Sequence, residues 1–297
     1  MTPQHEHEVA SGLLLVDKPG GITSHGAVAV ARRAMGTRKI GHAGTLDPMA
    51  TGLLILGVER ATRLLGHLAL HDKEYLATIR LGSATVTDDA EGEVVSTAST
   101  DVLDAITEAQ IDEGIRGLTG EILQVPSSVS AIKVDGKRSY ARVRAGEEVE
   151  LKSRAVTISI FERTALRRES DSIDIDVRVE CTTGTYVRAL ARDLGNVLGV
   201  GGHLTMLRRT RIGTFSVESA LVADSLEPHS LIPISEAARA SFPWVELTSE
   251  ESDHVSHGRR ISLTLSVPTA LFSPAGDLLA LAESDGDRLR YLAVFVG

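Results

Sequence analysis

The chain has 297 residues, a formal net charge of −9, 42% hydrophobic and 3% aromatic residues, and one cysteine. That length can bury a sizeable core and suggests about two domains. The single Cys181 excludes a disulfide framework, and no apolar run approaches the roughly 18 residues that a membrane-spanning helix needs.

With no charged-then-apolar leader, a reduced, cytoplasmic protein is expected. Residues 1–10 read as a frayed tail, in which His5-Glu6-His7-Glu8 is too polar and too terminal to serve as a metal site. Gly12 to Val16 reads as a strand. Thr23 or Ser24 then caps a helix to about Met35, with Val28 and Ala31 on one face and Arg32 and Arg33 outside. Lys39-Ile40 leads into the loop Gly41-His42-Ala43-Gly44-Thr45-Leu46-Asp47-Pro48-Met49-Ala50-Thr51-Gly52. The run Leu53 to Leu56, bounded by Gly52 and Gly57, reads as a buried strand. Glu59 to Leu68 has Ala61, Leu64, Leu65 and Leu68 at helical spacing. His67 and His71, four apart, are read as a solvated helix end because no third metal ligand lies nearby.

A strand is expected from Tyr75 to Leu81, an acidic turn from Thr85 to Glu93, and a helical region from Thr100 to near Gly117. Residues 124–152 are loop-rich and basic, with Lys133, Lys137, Arg138, Arg142 and Arg144 around a short helical piece at Tyr140; they read as an extended arm. Strands return at Ala155 to Phe161 and Ile173 to Cys181, the second with clear alternation. A helix from Tyr186 to Leu198 ends at Gly199. Beyond Phe215 the chain turns acidic and Pro-punctuated, with apolar runs at Ile261 to Val267 and Leu278 to Leu281. A small β-rich domain is expected from about Trp244. Strands and helices in no strict alternation favour an α+β fold.

The negative total conceals an uneven distribution. Residues 85–121 carry ten acids and one base, and residues 216–297 carry twelve acids and five bases. The segments 1–84 and 122–215 are therefore net positive, by +2 and +5. Local potential governs contact with a phosphate backbone, so a nucleic-acid partner is permitted.

Asp47 is a lone carboxylate in a glycine-rich loop, with Pro48 fixing the next φ and Thr45 and Thr51 offering hydroxyls. A residue placed so is a candidate nucleophile; an Asp bonding its own turn would account for it equally.

Five segments decide between these readings: Asp17-Lys18-Pro19, the Asp47 loop, Lys73-Glu74-Tyr75, Gly184-Thr185-Tyr186-Val187-Arg188, and His203-Leu204-Thr205-Met206-Leu207-Arg208-Arg209. In this order they resemble the TruB-type tRNA pseudouridine synthases, which isomerise the T-loop uridine at position 55 of tRNA. The resemblance implies a mixed-sheet catalytic core over residues 11–235, with the arm at about 124–152, and a small PUA-like domain over 240–297. It implies Asp47 as the catalytic aspartate, Arg188 as the cation that keeps it ionised, and Tyr75 as the ring that stacks on the flipped uracil and assists loss of the C5 proton. Tyr186 and Leu207 would line the uracil site, and His42 would fill the space the nucleotide vacates. Lys18 would support the Asp47 loop and meet phosphate, and Arg208, Arg209 and Arg211 would contact the RNA backbone.

No cofactor and no metal is implied, since the isomerisation involves no redox change. The implied partner is the T arm of tRNA, met by a monomer. One segment departs from the family pattern: after Gln124-Val125-Pro126 the chain runs Ser127-Ser128-Val129-Ser130-Ala131, without the aromatic usually found there. Two competing classes remain. A non-catalytic RNA-binding protein would not need Asp47. A carboxylate-based hydrolase would want a second acid roughly 5–10 Å from it, and the matched loops hold none.

Overall fold

The computed structural model describes residues 9–127, 152–286 and 288–296, with the backbone of 133–134 and 137–138. The tail motif His5 to Glu8, the helical piece at Tyr140 and most of the basic arm lie outside the described residues. The chain forms two compact units.

The first unit takes residues 1–48, 52–69 and 213–297. Its strand Gly12–Lys18 runs antiparallel to Thr51–Val58, with Leu14 opposite Leu56 and Lys18 opposite Gly52. The strand Ile40–Ala43 pairs with the other side of Thr51–Val58, and Leu221–Val222 runs parallel to Gly12–Lys18. Leu13 to Val16 and Leu53 to Leu56 are buried, as expected of near-continuous apolar runs covered on both faces. The helix Ser24–Met35 begins where Thr23 accepts from Gly26 N at 3.0 Å, buries Ala27, Val28, Ala31 and Met35, and stops at Gly36. The helix expected over 59–68 is instead a 3-10 turn, Glu59–Leu64, and a single α turn, Leu65–Leu68. Glu59 leaves the strand with φ at 52°, which forces a tight entry.

The C-terminal part of this unit is a four-stranded sheet in chain order: Trp244–Glu246, Thr269–Phe272, Leu278–Asp285 and Arg288–Val294. Leu247, Val255, Ile261, Leu271, Leu279, Ala280 and Leu289 form its core. The Ile261 to Val267 run contributes Ile261 to that core but forms no strand. Arg239, on the helix Ile234–Ser241, lies over the rings of Trp244 and Phe272 at 4.3 and 3.9 Å and clips the helix to the sheet.

The second unit takes residues 49–51 and 70–212. Five antiparallel strands lie in the order Gly202–Ile212, Lys73–Leu81, Ile173–Cys181, Arg154–Arg168, Gly120–Gln124. In Ile173–Cys181 the alternation holds: Ile173, Ile175, Val177, Val179 and Cys181 are buried, and Asp174, Asp176, Arg178 and Glu180 face the other way. That polar face is laced by ion pairs, Arg80 with Asp174 at 2.7 Å and Arg178 with Glu74 at 2.9 Å among them.

The strand Arg154–Arg168 is much longer than its sequence pattern suggests. Register shifts at Ile158/Ile160 and Arg163/Ala165 change which face the side chains meet, so alternation fades while pairing continues. The helical region from Thr100 is two helices, Thr100–Ala105 and Glu108–Gly117, parted where Thr107 and Gln110 form a capping box. Among the described residues no helix is long and apolar enough to cross a membrane.

Candidate active site

In the first unit, the segment carrying Asp47 is fixed on both sides of that residue. Ser24 Oγ accepts from Leu46 N at 2.9 Å and donates to Leu46 O at 3.1 Å. On the other side, Pro48 O accepts from Gly21 N at 2.9 Å and from Lys18 Nζ at 3.2 Å. The main chain therefore cannot shift at Leu46 without breaking buried bonds, or at Pro48 without breaking two further ones, while the Asp47 side chain is half-buried. Gly44 turns the loop at φ 70°, a conformation that a side chain would resist.

Lys18 is fully enclosed, and its ammonium also donates to Pro19 O and Ile22 O, both at 2.8 Å. Its support of the loop is thus plain in the geometry, whereas the phosphate contact expected of it has no exposed ammonium to make it. His42 is half-buried, with the His25 ring edge-on at 5.3 Å. Ser24 and His25 were not among the residues singled out from sequence; both belong to the helix start, where a hydroxyl reads simply as a cap.

In the second unit, Tyr75 is buried on the strand Lys73–Leu81, opposite Val179 on one neighbour and Arg209 on the other. Leu207 is buried opposite Ala77. Arg209 is 1% exposed, so the expectation of a surface phosphate contact is corrected: the inward face of an antiparallel strand carries it into the interior. Arg211 is likewise engaged, by Asp72 at 2.8 Å and Glu180 at 3.1 Å. Arg208 Nη1 donates to Thr51 Oγ1 at 3.4 Å. Lys73 is buried two residues before Tyr75, and loss of hydration, reinforced by the Arg209 charge, pulls its ammonium down to about 8.

Tyr186 stands at the N-cap position of the helix Val187–Leu198, its main chain held by Gln124, while the Arg154 guanidinium stands 5.5 Å from its ring. Arg188, the second residue of that helix, is 4% exposed. Its Nη1 donates to Thr87 O at 2.8 Å and meets Asp89 Oδ2 at 3.1 Å. Asp89 is buried too, its other oxygen taking Thr87 Oγ1 and Glu91 N. A buried guanidinium with a fixed carboxylate is oriented, not solvated. Asp89, the acid paired with Arg188, is not singled out by the sequence: among ten acids in residues 85–121, nothing in spacing separates it from solubilising charge. Among the described residues no group of three or more His, Cys, Asp or Glu is arranged to hold a metal ion.

Comparison with known proteins adds three family matches: "TruB family pseudouridylate synthase (N terminal domain)" over residues 32–187, "tRNA pseudouridylate synthase B C-terminal domain" over 188–233, and "tRNA Pseudouridine synthase II, C terminal" over 242–296. The chain is 55% identical to tRNA pseudouridine synthase B of Leifsonia xyli subsp. xyli, over 97% of both chains. It is 56% identical to the protein of that name from Cutibacterium acnes, over 94% of this chain and 95% of the other. Among solved structures it superposes on a chain of an H/ACA RNP bound to a substrate RNA containing 2'-deoxyuridine, with TM-score 0.70 and 24% identity, covering 96% of this chain and 85% of that one. An archaeal box H/ACA sRNP Nop10-Cbf5 complex gives TM-score 0.69 at 24% identity, covering 96% and 86%. At that identity the two structures speak for the fold alone.

Proposed function

The chain belongs to the TruB family of pseudouridylate synthases, and from that premise we propose that it isomerises the T-loop uridine at position 55 of tRNA to pseudouridine. The N1–C1′ bond breaks, C1′ joins C5 of the rotated uracil, the C5 proton leaves and N1 takes up a proton. Atoms and oxidation state balance within the substrate, so no cofactor is required.

Asp47 supplies the carboxylate nucleophile, and Arg188 is the cation that favours its ionised form. Tyr75 stacks on the everted uracil and assists loss of the C5 proton. Tyr186 and Leu207 line the base site, His42 fills the gap left in the RNA, and Lys18 braces the loop. Stacking contributes about 1–3 kcal/mol per base, comparable with the few kcal/mol that flipping costs. Residues 11–235 carry this chemistry; the PUA-like 240–297 is accessory, its acidity weakening any grip on phosphate. A monomer meets the T arm by shape and backbone contact, in the cytoplasm.

The observation that carries the assignment of Asp47 is its setting. Both flanking residues are pinned by hydrogen bonds, those at Leu46 buried, so the carboxylate is pre-positioned as a reacting group must be. The test follows tritium release from tRNA carrying [5-³H]uridine. Asp47→Asn is expected to reduce release by about 10⁴-fold or more; undiminished release would remove Asp47 as nucleophile. Free uracil in place of pseudouridine would make the enzyme a hydrolase.

A further inference from the structure

The helix Val187–Leu198 carries a second arginine one turn beyond Arg188 that the proposed chemistry does not use. Arg192 reaches in three directions. Its Nη1 lies 3.2 Å from Asp88 Oδ2, its Nη2 donates to Val125 O at 2.7 Å, and its Nε donates to Asp193 Oδ1 at 2.9 Å.

Two of these contacts lead back to residues assigned to the site. Asp88 directly precedes Asp89, the carboxylate that holds Arg188, and follows Thr87, whose carbonyl takes the same guanidinium. Val125 directly follows Gln124, whose amide brackets the main chain of Tyr186. Residues i and i+4 share a helix face, so Arg188 and Arg192 address the same turn in tandem.

The turn itself is built under constraint. Asp88 is a non-glycine residue at φ 60°, a conformation that persists only where the surroundings over-determine it. Its carbonyl accepts from Leu204 N at 3.0 Å, and Ala90 N donates to Leu204 O at 2.8 Å. Burial pushes the Asp88 carboxyl up, while nearby Ser127, Arg192 and Arg188 hold it down and Asp193 opposes them. Asp88 is 8% exposed, so losing the Arg192 charge beside it would push its carboxyl further up and weaken its hold on the helix.

We propose that Arg192 is a positioning residue for the isomerisation, clamping the 87–89 turn and the Gln124–Val125 strand end to one helix and so setting Arg188 and Tyr186 together. This rests on the assignment of Arg188 and Tyr186 to the substrate site.

The test uses the full chain and tritium release from labelled tRNA, with folding checked by thermal melting. Arg192→Met is expected to lower kcat by about 10- to 100-fold, the scale on which a misplaced catalytic group is felt, with little change in KM. In wild type the acidic limb of the pH profile should include loss of the Asp88–Arg192 pair as Asp88 takes up a proton; Arg192→Met has no pair to lose and should lack that component, and Arg192→Lys should restore it. Asp88→Asn, which preserves shape, should lower kcat on its own and lack the same component of the acidic limb; combined with Arg192→Met it should add little. A purely structural Arg192 would lower the melting temperature of Arg192→Met while leaving kcat and the acidic limb unchanged, which overturns the proposal. If Arg192→Met does not fold, wild-type kcat in Asp88→Asn overturns it equally. Arg188→Met separates the two levels. Wild-type turnover in that variant removes the site assignment, whereas abolished turnover beside a fully active Arg192→Met removes the clamp alone.

Discussion

Gln124 brackets the backbone of Tyr186, sixty-two residues away: its Oε1 accepts from Tyr186 N at 2.8 Å and its Nε2 donates to Tyr186 O at 3.1 Å. The pair resembles one rung of a β-ladder made by a side chain, and it ties the last residue of an edge strand to the first turn of a helix. Gln124 is 1% exposed, so water cannot replace it. Gln124→Leu is therefore expected to cost about 1–3 kcal/mol, the penalty of leaving buried donors and acceptors unmet. Urea denaturation measures that loss. Because Tyr186 loses its anchor, KM for tRNA should rise in the folded variant; an unchanged KM would show that Tyr186 is placed without Gln124.

How much of this was legible in the sequence differs from element to element. Gly12–Lys18 could be read as a short continuous apolar run, and Ile173–Cys181 and Val187–Leu198 because one periodicity runs through each. Arg154–Arg168 could be read only to Phe161, since bulges interrupt its alternation, a tertiary event with no local signature. The Asp47 loop stood out by its glycines and proline, and the Tyr75 and Arg188 segments by their resemblance to the TruB family. Their partners did not: Ser24, Asp89, Gln124 and Arg192 are ordinary polar residues whose role depends on which backbone they meet. The inward direction of Arg209 was equally hidden, because an arginine beside two others reads as a surface cluster.

Gly195 decides how closely the helix bearing Arg188 can approach the sheet. A Cβ there would stand 2.2 Å from Gly201 C and Gly202 N, and those atoms are backbone that no rotamer change can move. Gly195→Ala must push the helix outward or shift the 201–202 turn. A destabilisation of about 3 kcal/mol, at the upper end for overpacking, is expected in thermal or urea melts. Gly199→Ala, at a helix end with open space around it but φ 73°, should lose less, about 1 kcal/mol.

Lys18 places a charged donor among three carbonyls in a fully enclosed setting. Lys18→Met keeps most of the volume and removes the donor, so the carbonyls of Pro19 and Ile22 lose this partner. The expected loss is about 2–4 kcal/mol. Lys18→Arg should not restore stability, since a planar fork is larger than the site that an ammonium fills. Urea melts of the two variants check this, and tritium release from the folded fraction should fall in both as Pro48 loosens.

Lys73 and Cys181 are opposite one another in the sheet, and burial moves both, in opposite directions: Lys73 from 10.5 down to about 8, Cys181 from 9.0 up to about 11. Between about pH 8 and 10.5 the unfolded chain holds the Lys73 proton more firmly than the folded one, so this group makes stability rise with pH across that window. Between about 9 and 11 the folded chain holds the Cys181 proton more firmly, so that group makes stability fall. The two slopes oppose one another, and wild type should show a shallow profile from pH 9 to 10.5. Cys181→Ala removes the falling slope and should leave stability climbing with pH from 8 upward. Lys73→Met should instead decline above pH 9. Urea melts at half-unit intervals from pH 7 to 11 measure all three, and parallel profiles would show that neither group titrates differently on folding.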